Sequence, residues 1–332
     1  MHLNTLAVHA GGAADPETGA LAPPLHLSTT FAHAPDGSLP HGLIYQRHDN
    51  PTQQRLEEAL AALDGGARAL LFATGMAAGA TLLQTLPSGS HVLMQDDLYH
   101  GIRALAETCF SQWGLQFSSV DMTRADDVRA AIRANTALLW TESPSNPLLK
   151  VIDITAVAEL AHAHGARLVV DATFATPCLQ RPLALGADVV LHSATKYMGG
   201  HSDVMGGVLV FGNDDEQAQR AVALRQLLGS TASPFSAWMI LRGLRSLPAR
   251  LDWQCRSANS IAHALAEDPR VDVVHYPGLA SHAQHALATR QMSGYGGMLS
   301  IEVAGGRDAA LAAASALRLF TNATSLGGCE SL

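Results

Sequence analysis

Apolar runs and helical periods alternate through the middle of the chain. RALLFAT (68–74), HVLM (91–94), LQFSSV (115–120), ALLWTE (137–142), RLVVDAT (167–173) and DVVLHS (188–193) read as strands, most of them around a continuous apolar run, and GGVLVFG (206–212) reads as another. Between them lie amphipathic segments of helical period: TQQRLEEALAALDGG (52–66), MAAGATLLQTL (76–86), IRALAETCFSQW (102–113), ADDVRAAIRA (125–134) and ITAVAELAHAHG (154–165). The first is stopped by Gly65 and Gly66 and the last by Gly165. Strands that are apolar throughout are buried on both faces. Alternation with helices therefore predicts a mostly parallel sheet covered by helices on each side, an α/β fold.

The two ends depart from this pattern. Residues 1–50 are rich in Gly, Pro, His and Thr without a sustained period, and read as an extended arm. After about residue 235 a long helical stretch, SAWMILRGLRSLPARLDWQCRSANSIAHALAED, leads to strand-like VDVVHYPG and GGMLSIEVAG. The expected organisation is an arm over 1–50, an α/β domain over 51–234 and a smaller α+β domain over 235–332.

Composition narrows the function classes. A net charge of −8 argues against a nucleic-acid or anionic-membrane surface, and charged residues are 15% of the chain. Residues 69–86 form a long uncharged stretch, but it is interrupted by Thr, Gln and Gly and parses as strand, turn and helix rather than a membrane span. Cys109, Cys178, Cys255 and Cys329 are widely spread and suit a reduced, cytoplasmic interior better than a disulfide framework or a zinc site. His162/His164 and His282/His285 lack the spacing of a shared metal and read as structural.

In parallel α/β sheets ligands bind beyond the carboxyl ends of the strands. That rule gathers Thr74–Met76, Asp97–Gly101, Ser143–Pro147, Asp171–Thr173 and Ser193–Lys196 on one rim. Lys196 is one of only two lysines in the chain, the other being Lys150. Unlike arginine, lysine can lose its proton and attack a carbonyl, and an aldehyde cofactor, most commonly pyridoxal 5′-phosphate (PLP), is its natural partner. Such a cofactor needs an acid for its pyridine nitrogen, backbone amides at a helix start for its phosphate and an aromatic neighbour for its ring. Asp171, Gly75 with Met76, and Tyr99 meet these needs, and Ser193 and Thr195 add hydroxyl donors. Lys150 has no evident task and reads as a solvated loop charge.

The motifs that carry these residues resemble the Cys/Met-metabolism family of PLP enzymes nearly end to end. They are TLAVHAGG and PPLHLSTTF in the arm, YQRHDNPT (45–52), ATGMAA (73–78), DDLYHG (96–101), ESPSNPLLKV (142–151), DATFATP (171–177), HSATKYMGGHSD (192–203), SPFSAWMILRGLRSL (233–247), YPGLASHAQHALATRQM (276–292) and SLGGCESL (325–332). The resemblance implies a fold-type-I PLP enzyme in which Lys196 bonds the cofactor and later moves protons. Asp171 would pair with the pyridine nitrogen, and Gly75, Met76, Ser193 and Thr195 would hold the phosphate. Tyr99 would stack on the ring and assist proton transfer, Thr173 and Asn146 would contact the cofactor, and Ser325 would lie near the substrate carboxylate. Tyr45 and Arg47 would complete the site of a neighbouring subunit in a homodimer or homotetramer.

The implied reaction is elimination or replacement at Cβ or Cγ of a small sulfur amino acid, of the cystathionine γ-synthase or γ-lyase type. Methionine γ-lyase and O-acylhomoserine sulfhydrylase activities are the alternatives within the family. A different PLP reaction such as transamination, and a non-catalytic PLP-binding assembly subunit, are the alternatives outside it. Three departures stand out. Ala172 follows the ring aspartate where Asn is common, YHG replaces YGG at 99–101, and the sequence stops at SLGGCESL without the arginine that clamps the substrate carboxylate in the family. Ending within a motif, the sequence is expected to be part of a longer chain.

Overall fold

The computed structural model describes residues 1–332. Seven strands form one sheet: β1 (Arg68–Phe72), β2 (His91–Gln95), β3 (Gln116–Val120), β4 (Thr136–Glu142), β5 (Arg167–Asp171), β6 (Val189–Ser193) and β7 (Gly207–Phe211). Their order is β1-β7-β6-β5-β4-β2-β3. The block from β6 to β3 is parallel throughout, whereas β7 runs antiparallel to both β6 and β1. Every strand expected in the α/β segment is present, and only the direction of β7 could not be read from its composition.

Helices α1 (Leu3–Val8), α2 (Pro51–Asp64), α3 (Gly75–Gln84), α4 (His100–Leu105), α5 (Ala125–Ala131), α6 (Ile154–Ala163), α7 (Thr176–Leu179) and α8 (Glu216–Leu228) accompany the sheet. Local chemistry sets their ends. Asn50 caps α2 through the Thr52 amide ahead of Pro51, and Gly65 closes it at φ +77. Thr74 caps α3 through the Ala77 amide, and Asp153 caps α6 through the Ala156 amide. The helix expected over 102–113 is shorter: α4 passes at Ala106 into a single π turn ending at Phe110. The arm, expected to be extended, contains the short helix α1.

Both faces of the sheet are dry except along the edge strand β3. Alternate residues of the strands divide between two clusters, Val170, Val190 and Val208 packing with Leu56, Leu60 and Leu63 of α2. Val169, Leu191 and Phe211 pack on the other side with Leu82 and Leu83 of α3 and with Trp140. Period-two strands with both sets apolar are what a doubly covered sheet requires.

Beyond the sheet come α9 (Pro234–Leu244) and α10 (Leu247–Ala266), then β8 (Val271–His275), α11 (His285–Gln291), β9 (Ser300–Val303) and α12 (Gly306–Ala316). Strands β8 and β9 form a separate antiparallel pair. No helix is long and apolar enough to cross a membrane.

Candidate active site

The rim at the carboxyl ends of β1, β2, β4, β5 and β6 carries the chemistry. Lys196 lies in the turn after β6. Its Nζ donates to Ser325 Oγ at 2.8 Å and makes no ion pair. Burial lowers its proton affinity below that of an ordinary lysine. Ser325 is held at φ +98, in the left-handed region that a non-glycine residue rarely adopts.

Asp171 closes β5 and is 7% exposed. Its Oδ1 accepts the Thr173 amide at 3.0 Å and the Thr173 hydroxyl at 2.5 Å. The same hydroxyl oxygen accepts the Ser193 amide at 2.8 Å. Thr173, expected among the cofactor contacts, therefore joins the end of β5 to β6, the strand that leads to Lys196. Burial raises the Asp171 carboxyl, while the Thr173 bonds and nearby His192 oppose that rise. His192 is itself buried and bonded to Asp64 of α2 at 3.0 Å.

Gly75 opens α3 directly after β1 and its loop. A Cβ placed there would lie 3.2 Å from Ser193 Cβ and 3.3 Å from its Oγ, so glycine leaves the helix start open to the Ser193 hydroxyl. An α-helix N-terminus with free amides, flanked by a hydroxyl, is a ready anion site. Thr195 Oγ1 accepts from the Gly206 amide at 3.1 Å and donates to the Gly206 carbonyl at 3.3 Å.

Tyr99 precedes α4 and is 40% exposed. Its amide donates to Glu142 Oε2 at 2.7 Å. A Cβ at Gly101 would meet Tyr99 Cε1 at 2.5 Å and Met76 Sδ at 3.0 Å, which explains the glycine in YHG. The loop bearing Tyr99 is tied down twice more. Asp97 accepts the Ser145 hydroxyl and, at 3.2 Å, the Leu148 amide. Lys150 Nζ binds Asp96 at 3.0 Å and lies 3.6 Å from Asp121. Lys150 is thus not the solvated charge expected from sequence but a clamp between three loops. Asn146 lies half-buried in the loop after β4.

Tyr45 and Arg47 are not drawn into this chain's own site. Tyr45 is 41% exposed, the Arg47 guanidinium lies 5.6 Å from its ring centre, and the Arg47 carbonyl accepts the Thr231 hydroxyl. The four cysteines are free thiols, and His162 bonds to Asp188 and His164 to the Leu160 carbonyl. The residues that sequence reasoning missed are Glu142 and the His192–Asp64 pair.

The family model described as "Cys/Met metabolism PLP-dependent enzyme" matches residues 4–332. The chain belongs to that family. It is 46% identical over 331 residues to the cystathionine gamma-synthase of Mycobacterium leprae, covering 99% of this chain and 85% of that one. It is 44% identical to the cystathionine beta-lyase of Coxiella burnetii, covering 100% of this chain and 86% of that one. The crystal structure of cystathionine gamma synthase from Xanthomonas oryzae pv. oryzae, in complex with aminoacrylate and cysteine, superposes with a TM-score of 0.96 at 41% identity, covering 99% and 85% of the two chains. The fold is that of fold-type-I PLP enzymes, and the cofactor of this family member is PLP. The rim fits that group: an amine with lowered proton affinity, a buried acid with one oxygen still free of side-chain bonds, and a helix start left open by Gly75 converge there.

Proposed function

We propose that the chain catalyses elimination or replacement at Cγ of a small sulfur amino acid, in the manner of a cystathionine γ-synthase or γ-lyase. The observation that carries this reading is Lys196, a half-buried amine free of any carboxylate on the same rim as Asp171 and the start of α3. PLP, when bound, supplies an electron sink for charge developing on the substrate's carbon skeleton. The chain's own residues do the rest. Lys196 holds the cofactor, then takes and returns protons beside it. Asp171, oriented by Thr173, stays ionised against the pyridine nitrogen. The amides of Gly75 and Met76 with the Ser193 hydroxyl bind the phosphate, and Thr195 joins them by giving up its longer bond to Gly206. Tyr99 stacks on the ring and assists proton transfer, Asn146 contacts the ring hydroxyl, and Ser325 faces the substrate carboxylate.

Tyr45 and Arg47, exposed on the arm, complete the phosphate site of a second copy, so that the working enzyme is a cytoplasmic homodimer or a tetramer of such pairs. The break at Pro234, where the sheet gives way to α9 and α10, supports reading 51–234 as the cofactor domain and 235–332 as a second one. The Coxiella burnetii relative favours a second reading, β-elimination.

Titration with PLP tests the site. Wild type is expected to acquire a visible absorption band that survives gel filtration. Lys196→Arg, whose guanidinium stays protonated, is expected to fold, show no such band and lose at least about 10²–10⁴-fold in activity. Normal turnover in that variant would refute the assignment. Assays for cystathionine, 2-oxobutyrate and pyruvate separate γ-replacement, γ-elimination and β-elimination. A wild type that binds PLP but turns over none of these substrates would be a non-catalytic subunit.

A further inference from the structure

Glu142 closes β4 directly opposite Asp171, which closes β5, in parallel register. Register partners on parallel strands project to the same face, so two carboxyls stand side by side at the rim. Glu142 is 4% exposed and Asp171 7%. Neighbouring carboxyls in so dry a place cannot both be ionised at neutral pH. Their hydrogen bonds decide which one is. Asp171 accepts two donors from Thr173 and sits near His192. Glu142 accepts one, the Tyr99 amide, and no Lys, Arg or His bonds to it. The other acid near it is Asp97, on the loop after β2, which already has the Ser145 hydroxyl and the Leu148 amide for partners.

We propose that Glu142 is a positioning residue that works as a neutral carboxylic acid: its Oε2 takes the Tyr99 amide and sets that ring over the cofactor site, while Asp171 remains the one anion beneath it. The proposal rests on the placement of Tyr99 and Asp171 given above. Burial first, then Asp171, drives the Glu142 carboxyl well above the usual range; the Tyr99 amide bond pulls it down, and Asp97 adds the smallest push upward. Ionisation of Glu142 would set a second charge beside Asp171 and compete with it for the cofactor's proton. Loss of the carboxyl would free the start of α4 and let the Tyr99 ring drift.

Infrared difference spectroscopy on the cofactor-free and PLP-loaded protein, with Glu142→Gln and Glu142→Ala, tests this. Wild type at neutral pH is expected to show a protonated-carboxyl C=O stretch that Glu142→Gln lacks and that vanishes at alkaline pH. Glu142→Gln, which keeps a neutral acceptor, is expected to preserve the visible band of bound PLP and to remove the alkaline limb of its pH dependence. Glu142→Ala is expected to bind PLP with a weakened circular-dichroism signal in that band and to lose up to about 10²-fold in kcat, with Gln restoring most of it. No acid stretch in wild type, or Glu142→Gln as impaired as Glu142→Ala, would overturn the proposal even if PLP binds normally. Failure of wild type to bind PLP at all would remove the site assignment itself. If the alanine variant does not fold, the wild-type and glutamine spectra still decide.

Discussion

Lys196 makes no ion pair, whereas Lys150 meets two carboxylates, and the difference sets the two amines apart. Burial with no compensating charge lowers proton affinity, while the Asp96 and Asp121 carboxylates outweigh burial and raise that of Lys150. His91 shows the same physics with consequences for stability. It is fully buried at the start of β2, bonded to Thr136 Oγ1 and Ser118 Oγ at 2.8 Å each, and burial, with Arg133, lowers its pKa to about 4. The unfolded chain protonates this imidazole near its ordinary value, so as pH falls the unfolded state gains a proton first. The stability His91 contributes is whole above pH 6.5, declines down to about pH 4 and is absent below it. The expected loss is roughly 1–3 kcal/mol. Urea titrations at pH 7 and pH 4.5 of wild type and His91→Asn check it: the difference between the two proteins should narrow at the lower pH.

Among the elements, the short loop from Asp96 to Tyr99 does most to shape the site. Ties from Ser145, Leu148, Lys150 and Glu142 bind it to the loop and strand end of β4, and Gly101 lets the Tyr99 ring lie close to α4 and Met76. Gly101→Ala is expected to push the ring aside, leave the melting temperature within a few degrees and reduce kcat by about 10–10²-fold. Melting curves beside steady-state kinetics check this, and an unchanged kcat would show that the Tyr99 ring is not needed where it lies. These ties also mark the limit of what could be read in advance. Strands such as RLVVD and helices such as 154–163 follow from period and capping, which are local. The place of Glu142 lies in the register of β4 with β5, and Lys150 reads as a solvated charge because its partners lie 54 and 29 residues away in sequence. The antiparallel course of β7 is likewise a matter of pairing: an apolar strand reads the same in either direction. The shared rim position of Lys196, Asp171 and Gly75 is legible because each sits in a distinctive string at a strand end or helix start.

At the scale of the whole molecule, the arm is the part least explained by a single copy. It presents Tyr45 at 41% exposure, with the Arg47 guanidinium beside its ring, and neither residue hydrogen-bonds to Lys196, Asp171 or Ser193 of the same chain. An aromatic and a cation exposed together suit an anion held by another subunit. The idea has a sharp consequence when two defective proteins are mixed. Let one carry Lys196→Ala and the other Tyr45→Ala with Arg47→Ala. If each site combines the lysine of one copy with the arm of its twofold mate, a mixed dimer has one site with all its residues intact and one site lacking all three. Random assembly makes about half the dimers mixed, so about a quarter of wild-type activity should return although neither parent alone is active. Co-expression with two different affinity tags, sequential purification and a turnover assay would measure it, the purified mixed dimer reaching about half of wild-type activity. If every arm serves its own subunit, the purified mixed dimer holds one site without Lys196 and one without Tyr45 and Arg47 and stays inactive, and the two-copy site is then excluded.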